Sequence, residues 1–288
     1  MTRMNTQKRP ADGLAIRYAE SDAVGDETVL LLNPWPESLF AWDTIWTRLA
    51  QTARLLAIDL PGFGRSEGRA ELLSPRAMGL FLLRLIDEWG LGRPHLVGPD
   101  VGTGAVLFAL SEDLDRFPSA VVGSGGAWFP LEVTGALKEI IDAPDVSGFR
   151  ALDGRDIVAQ ALEGIERHAL PEAVREDYLS SYAGDRFAES AAYVRSYPSD
   201  LPVLAERLGD IRTPVQIIAG RRDTLVPPSN AEFLHARLPR SKLDILETGH
   251  FAWEDGADDY LALTRSWIEA HPAKARADNV RQLAAHGG

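Results

Sequence analysis

The chain alternates between two hydrophobic patterns. Short runs rich in Leu, Val and Ile are separated by longer segments in which apolar residues recur every three or four positions. Continuous apolar runs are typical of strands buried in a parallel sheet, and the periodic segments are typical of helices that pack on it. The predicted strands are residues 28–32, 53–58, 95–97, 120–123, 214–219 and 243–246, with an edge hairpin around residues 14–18, and the predicted helices are residues 42–50, 74–89, 102–110, 230–238 and 258–270. This alternation predicts an α/β fold with a mostly parallel, doubly wound sheet.

Residues 129–205 break the alternation. They show helical periodicity without a convincing strand, and glycine and proline residues punctuate them. An open α/β sheet binds its ligands at the carboxyl ends of its strands, so helices inserted there would cover that edge and shape a pocket. We therefore predict a core formed by residues 1–128 and 206–272, an inserted helical cap formed by residues 129–205, and a polar, alanine-rich tail formed by residues 273–288.

Composition narrows the classes of partner and site. The 288 residues include 30 Lys and Arg against 42 Asp and Glu, a formal charge of -12, which repels nucleic acid and anionic membranes. The chain has no cysteine, and no cluster has metal-ligand or phosphate-binding spacing. We therefore expect no cofactor and no metal. The amino terminus lacks an apolar secretory segment, and no stretch is apolar enough to span a membrane, which favours a cytoplasmic location. We expect a monomer or a homodimer.

One turn has the features of a strained elbow between a strand and a helix. The predicted strand at residues 95–97 is followed by Gly-Pro-Asp-Val-Gly at residues 98–102, and a helix comes next. Glycines two positions to either side allow the central residue, Asp100, to project into a pocket. The amino terminus of the helix favours negative charge, so we expect an ionised, nucleophilic carboxylate. A carboxylate can displace a leaving group from a tetrahedral carbon and form an alkyl-enzyme ester, which predicts epoxides or alkyl halides as substrates.

Two further polar residues follow predicted strands at the same edge of the sheet. Asp223 comes after the strand at residues 214–219, and His250 comes after the strand at residues 243–246. With Asp100 they give the chain order nucleophile, acid, histidine, in which the acid orients the imidazole so that it can accept a proton from water. Taken singly, Asp100 could be a helix-capping turn residue, Asp223 a turn residue and His250 a loop histidine. Their occurrence together in this order favours catalysis.

These residues lie among longer matches to a known family. Residues 33–38, Asn-Pro-Trp-Pro-Glu-Ser, resemble the His-Gly-aromatic-Pro-Glu-Ser stretch of epoxide hydrolases, and residues 59–66 resemble the family's Asp-X-Pro-Gly-X-Gly-X-Ser loop. Over residues 14–270 the chain is similar to the α/β-hydrolase fold family, in the aspartate-nucleophile branch of epoxide hydrolases and haloalkane or haloacetate dehalogenases. The resemblance implies an oxyanion hole formed by the backbone N–H groups of Trp35 and Val101.

The chain departs from this branch at two places. Asn33 and Pro34 replace the usual His-Gly. Val101 replaces the residue after the nucleophile, which is commonly Trp in haloalkane dehalogenases and many epoxide hydrolases and Arg in haloacetate dehalogenases. A valine side chain cannot hydrogen-bond a halide, which favours epoxides over organohalides. No Gly-X-Ser-X-Gly motif occurs, so a serine esterase is disfavoured. The Glu-Asp pair at residues 254–255 is interpreted as a helix start or a solvated face.

The residues and the resemblance together predict a hydrolase that opens epoxides to vicinal diols through an ester on Asp100. Epoxide opening needs an acid for the leaving alkoxide, a role that cap tyrosines take in epoxide hydrolases. Tyr193 and Tyr197 lie one helical turn apart and are the candidates, against the alternative that each is ordinary cap packing. The expected partners are a small, largely apolar organic substrate and water. Two alternatives stay open: a dehalogenase with Trp35 or Trp128 as halide donor, and a non-hydrolytic isomerase, cyclase or ligand-binding protein.

Overall fold

The chain folds around one eight-stranded sheet. In the computed structural model of the protein, the residues described are 4–22 and 25–273. The strands are β1 (Thr6–Ala11), β2 (Leu14–Glu20), β3 (Thr28–Leu32), β4 (Arg54–Ile58), β5 (His95–Pro99), β6 (Ala120–Gly123), β7 (Val215–Gly220) and β8 (Ser241–Leu246). Their order across the sheet is β1-β2-β4-β3-β5-β6-β7-β8. The pairs β1·β2 and β2·β4 are antiparallel, and the other neighbours are parallel.

The central strands are buried because nearly all of their side chains are apolar. Strands β3 to β7 are buried along almost their whole length, as parallel strands covered by helices on both faces should be. The edge strand β8 is half-buried. The register aligns Pro99 with Gly123 and Gly220 with Leu246. The turns that follow β5, β6, β7 and β8 therefore leave the sheet at one edge, which brings distant parts of the sequence together.

Helices cover the sheet and its carboxyl edge. They are α1 (Asp43–Leu49), α2 (Pro75–Glu88), α3 (Val101–Glu112), α4 (Gly135–Asp142), α5 (Ser147–Arg150), α6 (Gly154–Leu162), α7 (Glu172–Ser181), α8 (Arg186–Arg195), α9 (Tyr197–Arg207), α10 (Ser229–Arg237), α11 (Ala252–Asp255) and α12 (Ala257–Ala270). The hydroxyl of Ser74 caps α2 by accepting from the backbone N–H of Ala77. Helix α2 packs on α3, which is buried on all sides from Val101 to Leu110 and so forms part of the core.

Helices α4 to α9 lie between β6 and β7, and this part of the described chain contains no strand. We call residues 129–205 the cap, as in the sequence-based prediction, although α9 continues to Arg207. The division into core and cap stays a prediction. Of the predicted tail at residues 273–288, only Ala273 is among the described residues.

A buried ion-pair network joins the cap to the core. The guanidinium of Arg17 on β2 lies 2.9 and 3.0 Å from the two carboxylate oxygens of Asp177 on α7, and 3.3 Å from Asp59 Oδ2. The three side chains are 6%, 7% and 0% exposed. The Ser38 hydroxyl donates to Asp177 at 2.7 Å. Burial raises the pKa of the Asp59 carboxyl, and the charge of Arg17 opposes that rise. Arg17 therefore compensates two buried carboxylates at once.

The fold prediction from sequence is confirmed. The predicted strands at residues 28–32 and 120–123 coincide with β3 and β6, and the edge hairpin is formed by β1 and β2. Strand β5 extends to Pro99, two positions beyond the predicted end, and strand β8 begins at Ser241, two positions before the predicted start. Among the described helices, none combines the length and apolar character that crossing a bilayer requires.

The buried network predicts that Arg17→Met destabilises the protein by about 3–5 kcal/mol. The variant leaves Asp59 buried without its ion-pair partner, and it leaves Asp177 paired only with the half-exposed Arg65, whose Nε lies 3.0 Å from Asp177 Oδ1. The matched control is Arg54→Met, which removes an arginine that pairs with Glu20 on partly exposed side chains, 31% and 35% exposed; it should cost about 0–1 kcal/mol for the ion pair. Urea unfolding followed by circular dichroism measures both. Equal losses in the two variants would contradict the role assigned to Arg17.

Candidate active site

Asp100 lies at a sharp turn between β5 and α3. Its backbone has φ 52° and ψ -123°, a region that side-chain-bearing residues rarely occupy. The turn closes tightly, because a Cβ added at Gly98 would lie 2.8 Å from Val106 Cγ2. The Asp100 N–H donates to the carbonyl of Gly123 on β6 at 2.9 Å, and the Asp100 carbonyl accepts from Thr103. The strained backbone is thus fixed by both neighbouring elements, as expected of an elbow that presents a reactive side chain.

The Asp100 carboxylate is held by backbone donors. The N–H of Trp35 donates to Asp100 Oδ2 at 2.6 Å, and the N–H of Val101 also hydrogen-bonds the carboxylate. These are the two groups that the resemblance implied for the oxyanion hole. The loop of Trp35 is positioned by Asn33, whose side-chain carbonyl accepts from the N–H of Leu60 at 2.7 Å and whose amide donates to the carbonyl of Pro34. Asn33 thus ties this loop to the loop that follows β4.

Asp223 and His250 complete a line of polar groups behind Asp100. Asp223 Oδ1 accepts from the N–H groups of Leu225 and Val226 at 2.9 Å each, and its Oδ2 lies 2.8 Å from His250 Nδ1. His250 Nε2 lies 3.7 Å from Asp100 Oδ1. The side chains of Asp100 and His250 are each 9% exposed. The structure therefore brings together the three residues that sequence reasoning selected, although β5, β7 and β8 are far apart in the chain.

Burial and neighbouring charges shift the pKa values of Asp100 and His250 in opposite directions. Burial raises the pKa of Asp100, and His250 and the N–H groups of Trp35 and Val101 oppose that rise. For His250, burial disfavours the charged imidazolium, but the carboxylates of Asp223 and Asp100 outweigh it and the pKa is raised. Our expectation from sequence invoked only the helix terminus at Asp100 and left out the cost of burying its charge.

The two candidate tyrosines lie in different hydrogen-bonding environments. The Tyr193 hydroxyl donates to the carbonyl of Val101 at 2.7 Å, so its proton is engaged by the elbow backbone. Tyr197 begins α9 and packs over Gly126, where an added Cβ would lie 2.6 Å from its ring. The pKa of Tyr197 is raised by burial first and then by the negative charge of Asp100, with no hydrogen bond contributing. Of the two hydroxyls, that of Tyr197 is the one left available to a substrate.

The indole of Trp35 is also engaged within the protein. Its Nε1 donates to Ser190 Oγ on α8 at 2.9 Å, and its ring stacks on Phe187 at 5.1 Å between centroids. This ring was one of two indoles considered as a halide donor. In the described residues no group of three or more His, Cys, Asp or Glu side chains is arranged to hold a metal ion.

Sequence reasoning did not predict the burial of one nearby residue. Glu254 was interpreted as part of a helix start or a solvated face; it does lie in the first turn of α11, but it is 3% exposed and its Oε1 accepts from the Tyr178 hydroxyl at 3.2 Å. Its neighbour Glu37 is fully buried, and Glu37 Oε2 accepts from Trp253 Nε1 at 2.8 Å. The sequence signal for Glu37 was its place in the Pro-Glu-Ser stretch beside Trp35, whereas a contact between residues 37 and 254 had no local signal.

Comparison with known proteins identifies the family of the chain. Residues 27–257 match the model of the alpha/beta hydrolase fold family. A 2-hydroxy-6-oxononadienedioate/2-hydroxy-6-oxononatrienedioate hydrolase of Klebsiella pneumoniae is 26% identical over 264 residues, 85% of this chain and 88% of the relative. Two solved structures share the fold: an esterase from Exiguobacterium antarcticum, with TM-score 0.75, 20% identity and coverage of 93% and 100% of the two chains, and the epoxide hydrolase CorEH, with TM-score 0.77, 15% identity and coverage of 93% and 99%.

The arrangement can perform nucleophilic hydrolysis. It combines a carboxylate on a strained elbow, two backbone donors beside it, and an imidazole oriented by a second carboxylate. The family match covers most of the chain and includes all three of these side chains. The protein is therefore an α/β hydrolase, a member of the alpha/beta hydrolase fold family.

Proposed function

We propose that the protein hydrolyses epoxides to vicinal diols through an alkyl-enzyme ester on Asp100. The observation that carries the proposal is the identity and setting of the elbow residue: an aspartate with one oxygen on the Trp35 N–H and the other facing His250. A carboxylate that attacked a carbonyl would form a reactive anhydride, whereas attack on a tetrahedral carbon gives a stable ester. We therefore propose a different substrate class from the 2-hydroxy-6-oxo acids in the name of the Klebsiella relative.

The first step assigns different roles to the two oxygens of Asp100. Oδ1, which lies 3.7 Å from His250 Nε2, attacks an epoxide carbon, and the carbon–oxygen bond of the ring breaks. The ring oxygen leaves as an alkoxide and takes the phenolic proton of Tyr197. Oδ2 becomes the carbonyl oxygen of the ester and already lies 2.6 Å from the Trp35 N–H. Attack by Oδ1 can therefore leave the hydrogen bond from the Trp35 N–H in place.

The second step hydrolyses the ester. His250 accepts a proton from water, the hydroxide attacks the carbonyl carbon of the Asp100 ester, and the negative charge that develops on Oδ2 is stabilised by the N–H groups of Trp35 and Val101. Asp223 stabilises the imidazolium. The ester bond then breaks, and the leaving alkoxide takes the proton of the hydroxyl that was added to Asp100, which releases the diol and regenerates the Asp100 carboxylate. The proton on His250 restores the one that Tyr197 gave up. The balance is epoxide plus water to diol, without a cofactor.

Two alternative functions, dehalogenation and a non-hydrolytic role, can be distinguished from epoxide hydrolysis. An alkyl halide would form an ester on the same carboxylate, but halide release needs donors, and the Trp35 indole is already engaged by Ser190. Trp128 stacks on Phe233 and is the other indole considered. A non-hydrolytic member would use the site to bind a ligand or to move a proton. The substrate we propose is small and largely apolar, since the catalytic groups are almost completely enclosed.

Replacing His250 with Gln should trap the ester, because alkylation does not need the imidazole but hydrolysis does. After incubation with a panel of epoxides and organohalides, intact mass spectrometry should find a gain equal to one epoxide molecule, on the peptide that contains Asp100. Asp100→Asn is the control that should gain no mass. A gain equal to an alkyl group without its halide would identify a dehalogenase. Ligand binding without any gain in mass would support the non-hydrolytic alternative and contradict our proposal.

The two tyrosines provide a matched pair of variants. Tyr197→Phe should slow the ring-opening step by about 10²–10⁴-fold, the usual contribution of a general acid. Tyr193→Phe removes a hydrogen bond to the Val101 carbonyl and should cost far less in that step. Rapid-quench measurement of ester formation compares them. If Tyr193→Phe proved the slower of the two, the acid would be Tyr193.

Hydrolysis of the ester should fail at acidic pH, because His250 must be neutral to accept a proton. Its pKa is raised, so the rate should fall as pH falls through a value above the ordinary histidine value of about 6.5. In the ester the Asp100 charge is absent, which leaves Asp223 as the carboxylate that raises this pKa. Asp223→Asn should therefore shift the acid limb to lower pH and also slow hydrolysis by on the order of 10²–10⁴-fold. Decay of the isolated ester at different pH values measures both effects, and an unshifted acid limb would contradict the assignment.

A further inference from the structure

Glu37 and Glu254 form a buried pair of carboxyl groups that the proposed mechanism does not use. They are 0% and 3% exposed, and they are close enough to hydrogen-bond to each other. Two ionised carboxylates that are buried and within hydrogen-bonding distance of each other would repel strongly. A pair of this kind is stable when one proton is shared between the two groups.

The hydrogen bonds around the pair indicate where that proton lies. One oxygen of each group has a donor: Glu37 Oε2 accepts from the Trp253 indole at 2.8 Å, and Glu254 Oε1 accepts from the Tyr178 hydroxyl at 3.2 Å. The other two oxygens, Glu37 Oε1 and Glu254 Oε2, have no hydrogen-bond donor among the described residues. A buried carboxylate oxygen without a donor is costly. A proton on one of the two carboxyls supplies the missing donor.

The pair connects the two loops that carry catalytic groups. Glu37 is two residues from Trp35, whose N–H holds Asp100 Oδ2. Glu254 lies in α11, which begins two residues after His250. A hydrogen bond between residues 37 and 254 therefore fixes the oxyanion-hole loop against the histidine loop. It acts through the backbone on groups that themselves contact the substrate.

We propose that Glu37 and Glu254 are positioning residues, a singly protonated carboxyl pair that fixes the Trp35 loop against the His250 loop. Burial raises the pKa of Glu37 well above its ordinary range, and the charge of Glu254 adds to that rise. Burial also raises the pKa of Glu254, to about 8. The pair therefore holds its proton at neutral pH and loses it on the alkaline side, where two repelling carboxylates separate the loops. The effect on catalysis rests on the proposed function; the shared proton does not.

Other titratable groups around the pair are mostly acidic. Asp100 faces Glu37, and Asp43 and Asp255 face Glu254; each raises the pKa of the carboxyl it faces. Tyr178 stays protonated, because burial and then the charges of Glu254 and Glu37 raise its pKa.

His168 of the cap also contacts the pair: its Nε2 lies 3.6 Å from Glu254 Oε2, and its side chain is 26% exposed. His168 and Glu254 both line a surface pocket of about 390 Å³. The pocket gives the pair a route for proton exchange with solvent.

The test compares Glu254→Gln with Glu254→Ala. Glutamine carries its own N–H donors and cannot ionise, so Glu254→Gln should keep the hydrogen bond to Glu37 and retain ring opening at neutral pH. In the pH profile of its ring-opening rate, the alkaline limb should lie at least about one pH unit higher than in the parent protein. Glu254→Ala should lose about tenfold in the rate of ring opening at every pH. Glu37→Gln should behave like Glu254→Gln. Glu139→Gln, an exposed glutamate on the cap, is the control and should leave the profile unchanged.

A second measurement does not depend on turnover. A carboxyl whose pKa is raised by folding stabilises the protein below its unfolded pKa, and that stability is lost as pH rises through the folded pKa. The melting temperature of the parent protein should therefore fall between the ordinary glutamate pKa, about 4.3, and pH values above the folded pKa. In Glu254→Gln this fall should be shallower. Carboxyl-carbon NMR should also find a glutamate that titrates near pH 8, and that resonance should be absent in Glu254→Gln.

The outcomes separate the two proposals. If no epoxide reacts but the stability and NMR results are as expected, the proposed function is wrong and the shared proton is retained. If Glu254→Gln has the same alkaline limb and the same pH dependence of melting as the parent protein, the proton pair is overturned, whatever the substrate. Equal losses in Glu254→Gln and Glu254→Ala would likewise overturn it.

Discussion

The arrangement of this protein depends on keeping a carboxylate charged where little water reaches it. Asp100 is only 7% exposed, and its burial would favour the neutral acid, which is not a nucleophile. Two backbone N–H groups, the imidazole of His250 and the turn into α3 provide the compensation. Val101 and the turn into α3 directly follow Asp100, whereas Trp35 and His250 come from distant parts of the chain that the parallel sheet brings to the same edge. The strained backbone of Asp100 is tolerated because strand β6 and helix α3 both hold it.

The elements that could be predicted from sequence are those with a local cause. Strand β3 is a run of five residues with four buried apolar side chains, and its bounds follow from composition alone. The elbow follows from glycines at fixed spacing, and the convergence of Asp100, Asp223 and His250 follows from their place after parallel strands. These inferences need only periodicity and a rule for where strand ends meet.

What could not be predicted are the partners of buried polar groups. Arg17 and Asp177 are 160 positions apart, and nothing in either neighbourhood indicates the other. Glu254 follows His250 in a sequence that is typical of an exposed helix start. It is buried because Tyr178 of the cap and the loop that carries Trp35 and Glu37 pack against α11. The same reason separates Tyr193 from Tyr197: one helical turn predicts a shared face, whereas the Val101 carbonyl that accepts from Tyr193 belongs to the core. Side-chain partnerships are set by tertiary packing, and a single sequence carries no record of it.

The hydrogen bond from Tyr193 to the Val101 carbonyl also limits how this fold can be recombined. A helix of the cap reaches the backbone of the residue that directly follows the nucleophile, so the cap is part of the scaffold of the elbow as well as the wall of the pocket. A chimaera that carried the helices of a relative would change substrate selection and would also remove the hydrogen bond from the cap to that carbonyl, unless the graft brought a donor to the same point. Caps in this family are thus interchangeable only to the extent that they preserve such anchors.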